Sequence, residues 1–301
     1  MSKESDMDIL LAEYASVMMP NLAEEGHAML RTLKAGFQNC GHSVHVPQQR
    51  KGNTSSFYAQ VERLARVCDA GLVIAPDYLL YDFTKLVEQH TTNLGCSAEA
   101  VRKAADKLTA SKVLSQGSLN VPEINPQTGP YAIKPRDGCG AEGIHIVETF
   151  EPDRIDKNMF VSKFISGDHI SVSLVIGRTV LPLSINKQHI RIDETIHYLG
   201  NTTPYSVRNA NEVIDQASRA AQLLGCEGYV GVDMVLQPDG VVNIVDVNPR
   251  PTTAIVSVDK VIGNVADLIL KARLGQELPM LLKPHGIHTF VRTNCGSNRP
   301  L

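Results

Sequence analysis

Residues 229–251, YVGVDMVLQPDGVVNIVDVNPRP, constrain the fold more than any other segment of the chain. Two apolar runs flank Asp239-Gly240, and an Asp-Gly pair in this setting is the strongest short signal for a β-hairpin. If these two residues form the loop, residues 238 and 241 pair, and the register that follows sets Asp233 directly opposite Asp246. Because side chains alternate along a strand, Asn248 lies on the same face as Asp246.

This register brings two carboxylates together on an apolar-walled face. Side chains opposite each other in an antiparallel pair lie about 5 Å apart, where like charges repel. Such a pair is stable only with a shared proton or a bound cation. Asp233, Asp246 and Asn248 supply hard oxygen ligands, which Mg²⁺ or Mn²⁺ prefers, especially where phosphate oxygens complete the shell. The alternative is a register shifted by one residue, with one aspartate exposed at a strand end, and the hairpin alone leaves both interpretations open.

Residues 131–147, YAIKPRDGCGAEGIHIV, predict a strand, a loop with Gly138, Gly140 and Gly143, and a second strand. Glycines let backbone N–H groups approach phosphate oxygens closely, although a plain flexible turn also explains them. The segment is neither a P-loop nor a dinucleotide fingerprint, since no GK[ST] opens a helix. Lys134 closes an apolar strand just before the loop, so we expect it to have an anionic partner.

The rest of the chain predicts three lobes. In the first hundred residues strands alternate with helices, which indicates a parallel sheet covered by helices. From residue 131 short strands separated by Gly, Pro and Asp predict an antiparallel sheet. We expect an α/β lobe (1–104), a small lid-like lobe (105–166) and a larger α+β lobe (167–301). The predicted strands are 9–12, 43–46, 71–75, 131–135, 143–147, 159–165, 169–176, 180–185, 229–236 and 241–247, and the predicted helices are 22–39, 57–67, 98–116 (N-capped by Ser97), 211–224 and 265–274.

Composition narrows the class of protein. The chain has 301 residues, and 43% of them are hydrophobic. Its formal net charge is only −3, so no strong electrostatic field indicates binding to nucleic acid or to an anionic membrane. There is no apolar run of the roughly 18 residues that a membrane helix needs, and the N-terminus lacks the pattern of a secretory signal. Six scattered cysteines without a CxxC pair argue against a zinc site and a disulfide framework. We expect a cytoplasmic protein that acts on small molecules.

Five segments in order resemble the ATP-grasp superfamily of carboxylate–amine ligases. The resemblance implies an α/β and α+β architecture: a Rossmann-like pre-ATP-grasp lobe, a lid and a C-terminal antiparallel lobe. The segments are DKLTASKVLSQGSLNVP (106–122), YAIKPRDGCGAEGIHIV (131–147), FVSKFISGDHISVSLVI (160–176), YVGVDMVL (229–236) and VVNIVDVNPRP (241–251).

The resemblance also implies which residues bind ATP. Two lysines would bind its phosphates under the closing glycine loop, four residues would form the adenine hinge through backbone atoms, and Asp168 or His169 would reach the ribose. These residues are Lys107, Lys134, Gly138, Gly140, Gly143, Ser162, Lys163, Phe164, Ile165, Asp168 and His169. Many relatives have glutamate where this chain has Ser162, which a backbone hinge tolerates.

The same resemblance implies the metal ligands and the catalytic groups. Asp233, Asp246 and Asn248 would hold Mg²⁺ (or Mn²⁺) against the phosphates, although the second carboxylate is more often glutamate. Arg250 would steady an acyl phosphate, and Lys187 or His189 would add a phosphate or substrate contact. Decay to a non-catalytic nucleotide-binding protein is the alternative, but decay should remove such residues first.

Four further segments, residues 10–19, 24–37, 183–190 and 246–256, resemble the tyramine–glutamate ligases of methanofuran-type cofactor biosynthesis. This resemblance implies that the substrates are L-glutamate, through its γ-carboxylate, and an amine such as tyramine. Arg250, with Arg191 or Arg208, would pair the α-carboxylate, or Arg191 and Arg208 are exposed loop residues. Glu13 and Tyr14 follow the first strand, where open α/β sheets bind ligands, or they simply pack at the strand end. The sequence does not decide whether the substrate is a different amine, nor whether the protein forms a homodimer.

Overall fold

The computed structural model describes residues 6–48, 53–138 and 143–293. Over these residues the strands form three sheets, one parallel and two antiparallel. Gly140 of the predicted phosphate loop lies outside the described residues. Each helix in the described ranges is too short or too polar to cross a lipid bilayer. The lobe boundaries at residues 104 and 166 stay predictions.

The first sheet is parallel, in the order β2-β1-β3-β4, as the alternating pattern predicted. Its central strands are continuous apolar runs, which is typical of strands covered on both faces. The strands are β1 Asp8–Glu13, β2 Ser43–His45, β3 Ala70–Ile74 and β4 Thr92–Asn93, and the helices around them are α1 Ala15–Met18, α2 Ala23–Asn39, α3 Thr54–Ala65, α4 Asp77–His90 and α5 Ala98–Ala105.

This lobe differs from the sequence-based prediction, which also lacked the short elements α1 and β4. The helix α4 was not predicted, although Pro76-Asp77 before a periodic apolar run is a start signal. The predicted helix 98–116 is two helices, because Asp106 ends α5 and caps α6, Lys107–Gln116, by accepting hydrogen bonds from the N–H groups of Leu108 and Thr109. Ser97 caps α5 as predicted.

The small lobe is a three-stranded antiparallel sheet in the order β6-β5-β7. Its strands are β5 Tyr131–Pro135, β6 His145–Val147 and β7 Met159–Lys163. The glycine loop joins β5 to β6, so Lys134 lies at the end of the central strand next to that loop.

The large sheet is antiparallel, in the order β12-β11-β8-β9-β10-β13. One face packs against α7 and the other against α8 and α9, which encloses two apolar cores. The elements β10, β13 and α8 were not predicted. The strands are β8 Asp168–Ile176, β9 Val180–Ile192, β10 Ile196–Thr203, β11 Gly228–Leu236, β12 Val242–Asn248 and β13 His288–Val291, and the helices are α7 Ala210–Leu223, α8 Ala254–Ile262 and α9 Val265–Arg273.

The hairpin β11–β12 has the predicted pairing of Asp233 with Asp246, but the predicted two-residue loop is wrong. The loop has three residues, because the Gln237 N–H donates to the Val241 carbonyl (2.9 Å) and Gly240 takes the left-handed conformation, with φ +92°. A β-bulge then shifts the register between Asp233 and Met234. The bulge offsets the longer loop and restores the Asp233–Asp246 pair.

Candidate active site

One cleft is lined by residues from all three sheets. Glu13 and Ile74 come from the parallel sheet, Lys134 from the small sheet, and Asp233 and Asp246 from the large sheet. Its empty volume, including space open to solvent, is about 1580 Å³.

Asp233, Asp246 and Asn248 meet on the cleft side of the hairpin. Gln188 Nε2 donates to Asp233 Oδ1 (2.9 Å), and Asn248 Nδ2 donates to Asp233 Oδ2 (3.1 Å). Burial, with a further contribution from the negative charge of Asp246, raises the pKa of Asp233 to about 7. A carboxylate held in this way is stabilised by a cation, which fits the predicted metal site.

Lys107 is buried beside this pair. Its Nζ donates to Asp246 Oδ2 (2.9 Å), to Asp77 Oδ2 (3.1 Å) and to the Gly138 carbonyl (3.3 Å). Burial alone would lower the pKa of Lys107, but the two carboxylates raise it above its usual value. The Lys107 N–H donates to the Arg136 carbonyl (2.8 Å), so both the backbone and the side chain attach α6 to the start of the glycine loop.

Lys134 lines the same cleft and is also buried. Burial, together with the nearby charge of Lys107, lowers the pKa of Lys134 to about 8, although the charge of Asp246 opposes the shift. A buried ammonium in this environment is stabilised by an incoming anion. The structure therefore brings Lys107 and Lys134 together, as the resemblance implied.

Arg250 follows β12 and lies in the cleft wall. Its Nη2 donates to Asp77 Oδ1 (3.4 Å), so Asp77 accepts from both Arg250 and Lys107. Asp77 belongs to the first turn of α4, and its side chain is 3% exposed. Sequence reasoning missed Asp77 because it missed α4, and the Pro-Asp start signal was the clue available.

The predicted adenine hinge comprises the last two residues of β7 and the two residues that follow it. Lys163, Phe164 and Ile165 line the cleft, whereas the Ser162 side chain is buried in the small sheet. The N–H of Lys163 donates to the Glu123 carbonyl (2.8 Å), and Lys163 Nζ donates to the carbonyls of Thr128 and Gly129 (both 2.6 Å). Because its ammonium is bound to the carbonyls of Thr128 and Gly129, Lys163 faces the cleft mainly with its backbone and the aliphatic part of its side chain.

Asp168 and Lys187 form an ion pair at the edge of a second, neighbouring cavity. Lys187 Nζ lies 2.7 Å from Asp168 Oδ1, and the Tyr205 hydroxyl donates to Asp168 Oδ2 (2.9 Å). His169 lines both cavities, and burial together with the charge of Lys187 lowers its pKa. Lys187 lines this second cavity with His189, so the structure does not place it beside Arg250.

Of the other residues proposed from the sequence, Glu13 lines the cleft, whereas Tyr14 and Arg191 lie outside its described lining. Glu13 lines the cleft, and its carboxylate accepts from the N–H groups of Ala15 (3.0 Å) and Ser16 (2.6 Å). Tyr14 packs against Phe57, with ring centroids 5.3 Å apart. Arg191 is exposed and lies 3.7 Å from a neighbouring carboxylate, outside the described lining of the cleft.

Sequence reasoning also missed lining residues from other elements. Gln188 comes from β9, Tyr198 from β10, and Glu25 from α2. Each is separated by a long stretch of chain from the carboxylate hairpin. No local pattern marks such residues, because their contacts arise only when the elements pack.

The cleft defines the class of this protein. It lies between the small sheet, which carries the glycine loop, and the large antiparallel sheet, which carries the paired carboxylates. Residues 104–254 match the family model of the ATP-grasp domain, and residues 38–101 match that of the pre ATP-grasp 3 domain. The chain belongs to the ATP-grasp family of ligases, and the predicted fold class is confirmed.

Among its relatives are the tyramine–L-glutamate ligases of Methanocaldococcus jannaschii and Methanocaldococcus fervens, each 32% identical. The alignments cover 71% and 70% of this chain, and they span about two thirds of the relatives, 66% and 68%. The crystal structure of an ATP-grasp superfamily protein from Archaeoglobus fulgidus is 28% identical, with a TM-score of 0.76. That match covers 95% of this chain and 100% of the other.

Proposed function

We propose that this protein is an ATP-dependent ligase that joins the γ-carboxylate of L-glutamate to the amine of tyramine. The observation that carries the proposal is the paired carboxylates Asp233 and Asp246, which share one cleft with Lys107, Lys134 and Arg250. The two tyramine–L-glutamate ligases that match most of the chain support this choice of substrates.

The carboxylate hairpin fits Mg²⁺ or Mn²⁺. Among the described residues no group of three or more His, Cys, Asp or Glu side chains could hold a metal ion. Asp233, Asp246 and Asn248 would therefore supply only part of the shell, and phosphate oxygens and water would supply the rest, as is usual for Mg²⁺. When bound, the metal would neutralise phosphate charge during phosphoryl transfer.

The chain's own residues account for the remaining steps. Lys134 would bind a phosphate, because it is a buried cation facing the cleft. Lys107 would position Asp246 and contact the phosphates, and the backbone near Ile165 would hold adenine. Arg250 would bind the carboxylate under activation and steady the acyl phosphate that the amine attacks. The closing glycine loop would exclude water, which otherwise hydrolyses such an intermediate.

The proposal is tested by supplying enzyme, ATP, Mg²⁺ and L-glutamate with a panel of amines. ADP release is measured together with the mass of the amide product. We expect tyramine-dependent ADP release and γ-glutamyltyramine, and neither product when ATP, glutamate or amine is omitted. Turnover with another amine but none with tyramine would contradict the substrate assignment and leave the ligase class intact.

A further inference from the structure

The cleft extends beyond the carboxylates and lysines into a part that none of the proposed ATP or metal contacts uses. This part is enclosed by the end of β1, α1, α2 and the start of α8, and we call it the distal end. Its apolar walls are Ala15, Leu22, Met29 and Ala254, and its polar lining residues are Glu13, Glu25 and Thr253.

Two buried carboxylates lie at this end of the cleft: Glu13, whose two oxygens already accept hydrogen bonds from the N–H groups of Ala15 and Ser16, and Glu25, which is 5% exposed. Its Oε2 accepts a hydrogen bond from Thr253 Oγ1 (2.6 Å). Its Oε1 is buried and accepts no hydrogen bond from the described residues, although Arg292 Nε lies 3.3 Å away as an ion-pair partner. A buried acceptor left without a hydrogen bond is costly, and this cost falls when a ligand supplies a donor.

The charge balance at Glu25 indicates what kind of donor fits. Arg292 pairs with the negative charge of Glu25, and nearby Arg250 adds a second positive charge and Glu24 a second negative charge, so these four groups already balance. An ammonium would place a further cation among these groups, whereas a neutral hydroxyl adds a hydrogen bond without adding charge. The reacting amine also has to lie near Arg250 and the activated carboxylate, and Thr253, three residues after Arg250, separates Glu25 from that point.

We propose that the distal end is the subsite of an aromatic amine, and that Glu25 determines specificity by accepting a hydrogen bond from the phenol hydroxyl. Leu22, Met29 and Ala254 provide apolar walls for the ring, and Thr253 and Arg292 hold the carboxylate. This inference rests on the proposed function, because it names the residue that distinguishes tyramine from an amine without the hydroxyl.

The experiment compares tyramine with phenethylamine, which has the same ring and amine but no hydroxyl. Binding of both amines is measured by calorimetry in the presence of MgADP, so the readout does not depend on turnover. For the unmodified protein we expect tighter binding of tyramine by about 10- to 100-fold, the range for a hydrogen bond to a charged acceptor. Glu25→Gln should reduce this preference close to one by weakening tyramine alone.

Glu24→Gln is the matched control. Glu24 accepts hydrogen bonds from Thr293 at the same segment of α2, and it lies outside the described lining of the cleft. This variant should keep the preference for tyramine. If Glu25→Gln does not fold, Thr253→Val gives a second readout, because Thr253 no longer holds the Glu25 carboxylate in position and the preference for tyramine should fall.

An unchanged preference in Glu25→Gln, or an equal loss for both amines, would overturn the subsite assignment. The first result would leave Glu25 with a structural role only, and the second would mean that it binds the ammonium. If tyramine is preferred through Glu25 but no γ-glutamyl amide forms, the proposed reaction fails while the subsite stands. If the amide forms but Glu25 has no effect on the preference for tyramine, the subsite assignment fails while the proposed reaction stands.

Discussion

Asp233 lies directly opposite Asp246 across β11 and β12, and Lys107 Nζ donates to Asp246 from a helix more than a hundred residues earlier in the chain. The two carboxylates face the cleft, whereas Val242, Ile244 and Val247 of the same hairpin belong to the apolar core. This separation depends on the β-bulge, because regular alternation from Ile244 would turn Asp246 toward the core.

Asp246→Asn should lower MgATP turnover by about 10²–10⁴-fold, since the variant removes one of two carboxylates proposed to hold the metal. Turnover is measured as ADP release with glutamate and amine at saturation. The matched control is Asp239→Asn, in the exposed loop of the same hairpin. Undiminished Mg²⁺-dependent turnover in Asp246→Asn would refute the metal assignment.

Gln188→Leu should weaken Mn²⁺ affinity by roughly 10- to 100-fold, because it removes a hydrogen bond that orients Asp233 Oδ1. Electron paramagnetic resonance titration with a non-hydrolysable ATP analogue reports the free Mn²⁺ directly. Gln222→Leu, at an exposed position of α7, is the control and should bind Mn²⁺ like the parent protein. Equal affinities for both variants would show that Gln188 does not position the site.

ATP affinity should fall as pH rises through about 8. The pKa of Lys134 is lowered to about 8 by burial, so above this pH the free protein loses the cation that phosphate needs. Lys134→Arg stays charged over this range and should remove the decline. The dissociation constant for ATP is measured from pH 6.5 to 9.5, and parallel pH profiles for the two proteins would contradict the assignment.

Lys134 should also make the ligand-free protein less stable at neutral pH. Its folded pKa lies below the value of 10.5 for an exposed lysine, so the unfolded chain binds more protons between pH 8 and 10.5. The free energy of unfolding therefore rises with pH across this window. Lys134→Met should raise it at pH 7 by about 1–3 kcal/mol, as measured by urea denaturation, while weakening ATP binding. A less stable Lys134→Met protein would count against this account.

Asp77→Asn should lower the free energy of unfolding by about 2–4 kcal/mol, because Lys107 and Arg250 would lose a shared buried counter-charge. Asp82→Asn, at an exposed position of the same helix, should change it little. Urea denaturation of both variants checks this difference. Equal stabilities would mean that Asp77 contributes no net stabilisation to the cluster.

The sequence predicted the parts of this protein that depend on local patterns. Continuous apolar runs between helices indicated the parallel sheet, and short strands with Gly, Pro and Asp turns indicated the antiparallel ones. The Asp-Gly turn led to the correct pairing of Asp233 with Asp246, although the loop is one residue longer than predicted and a bulge offsets it. The roles assigned to the ATP-binding and metal residues stay predictions.

What the sequence determined is the chemistry available: oxygen ligands on one strand face, lysines near a glycine loop, and an arginine after the hairpin. What only the tertiary structure decided is which distant groups surround them, namely Asp77 from α4, Gln188 from β9 and Glu25 from α2. These contacts connect residues far apart in the chain, so no local periodicity encodes them. The burial of Lys107 also arises from tertiary packing. A lysine at the start of a helix is exposed or buried depending on which other elements pack over it.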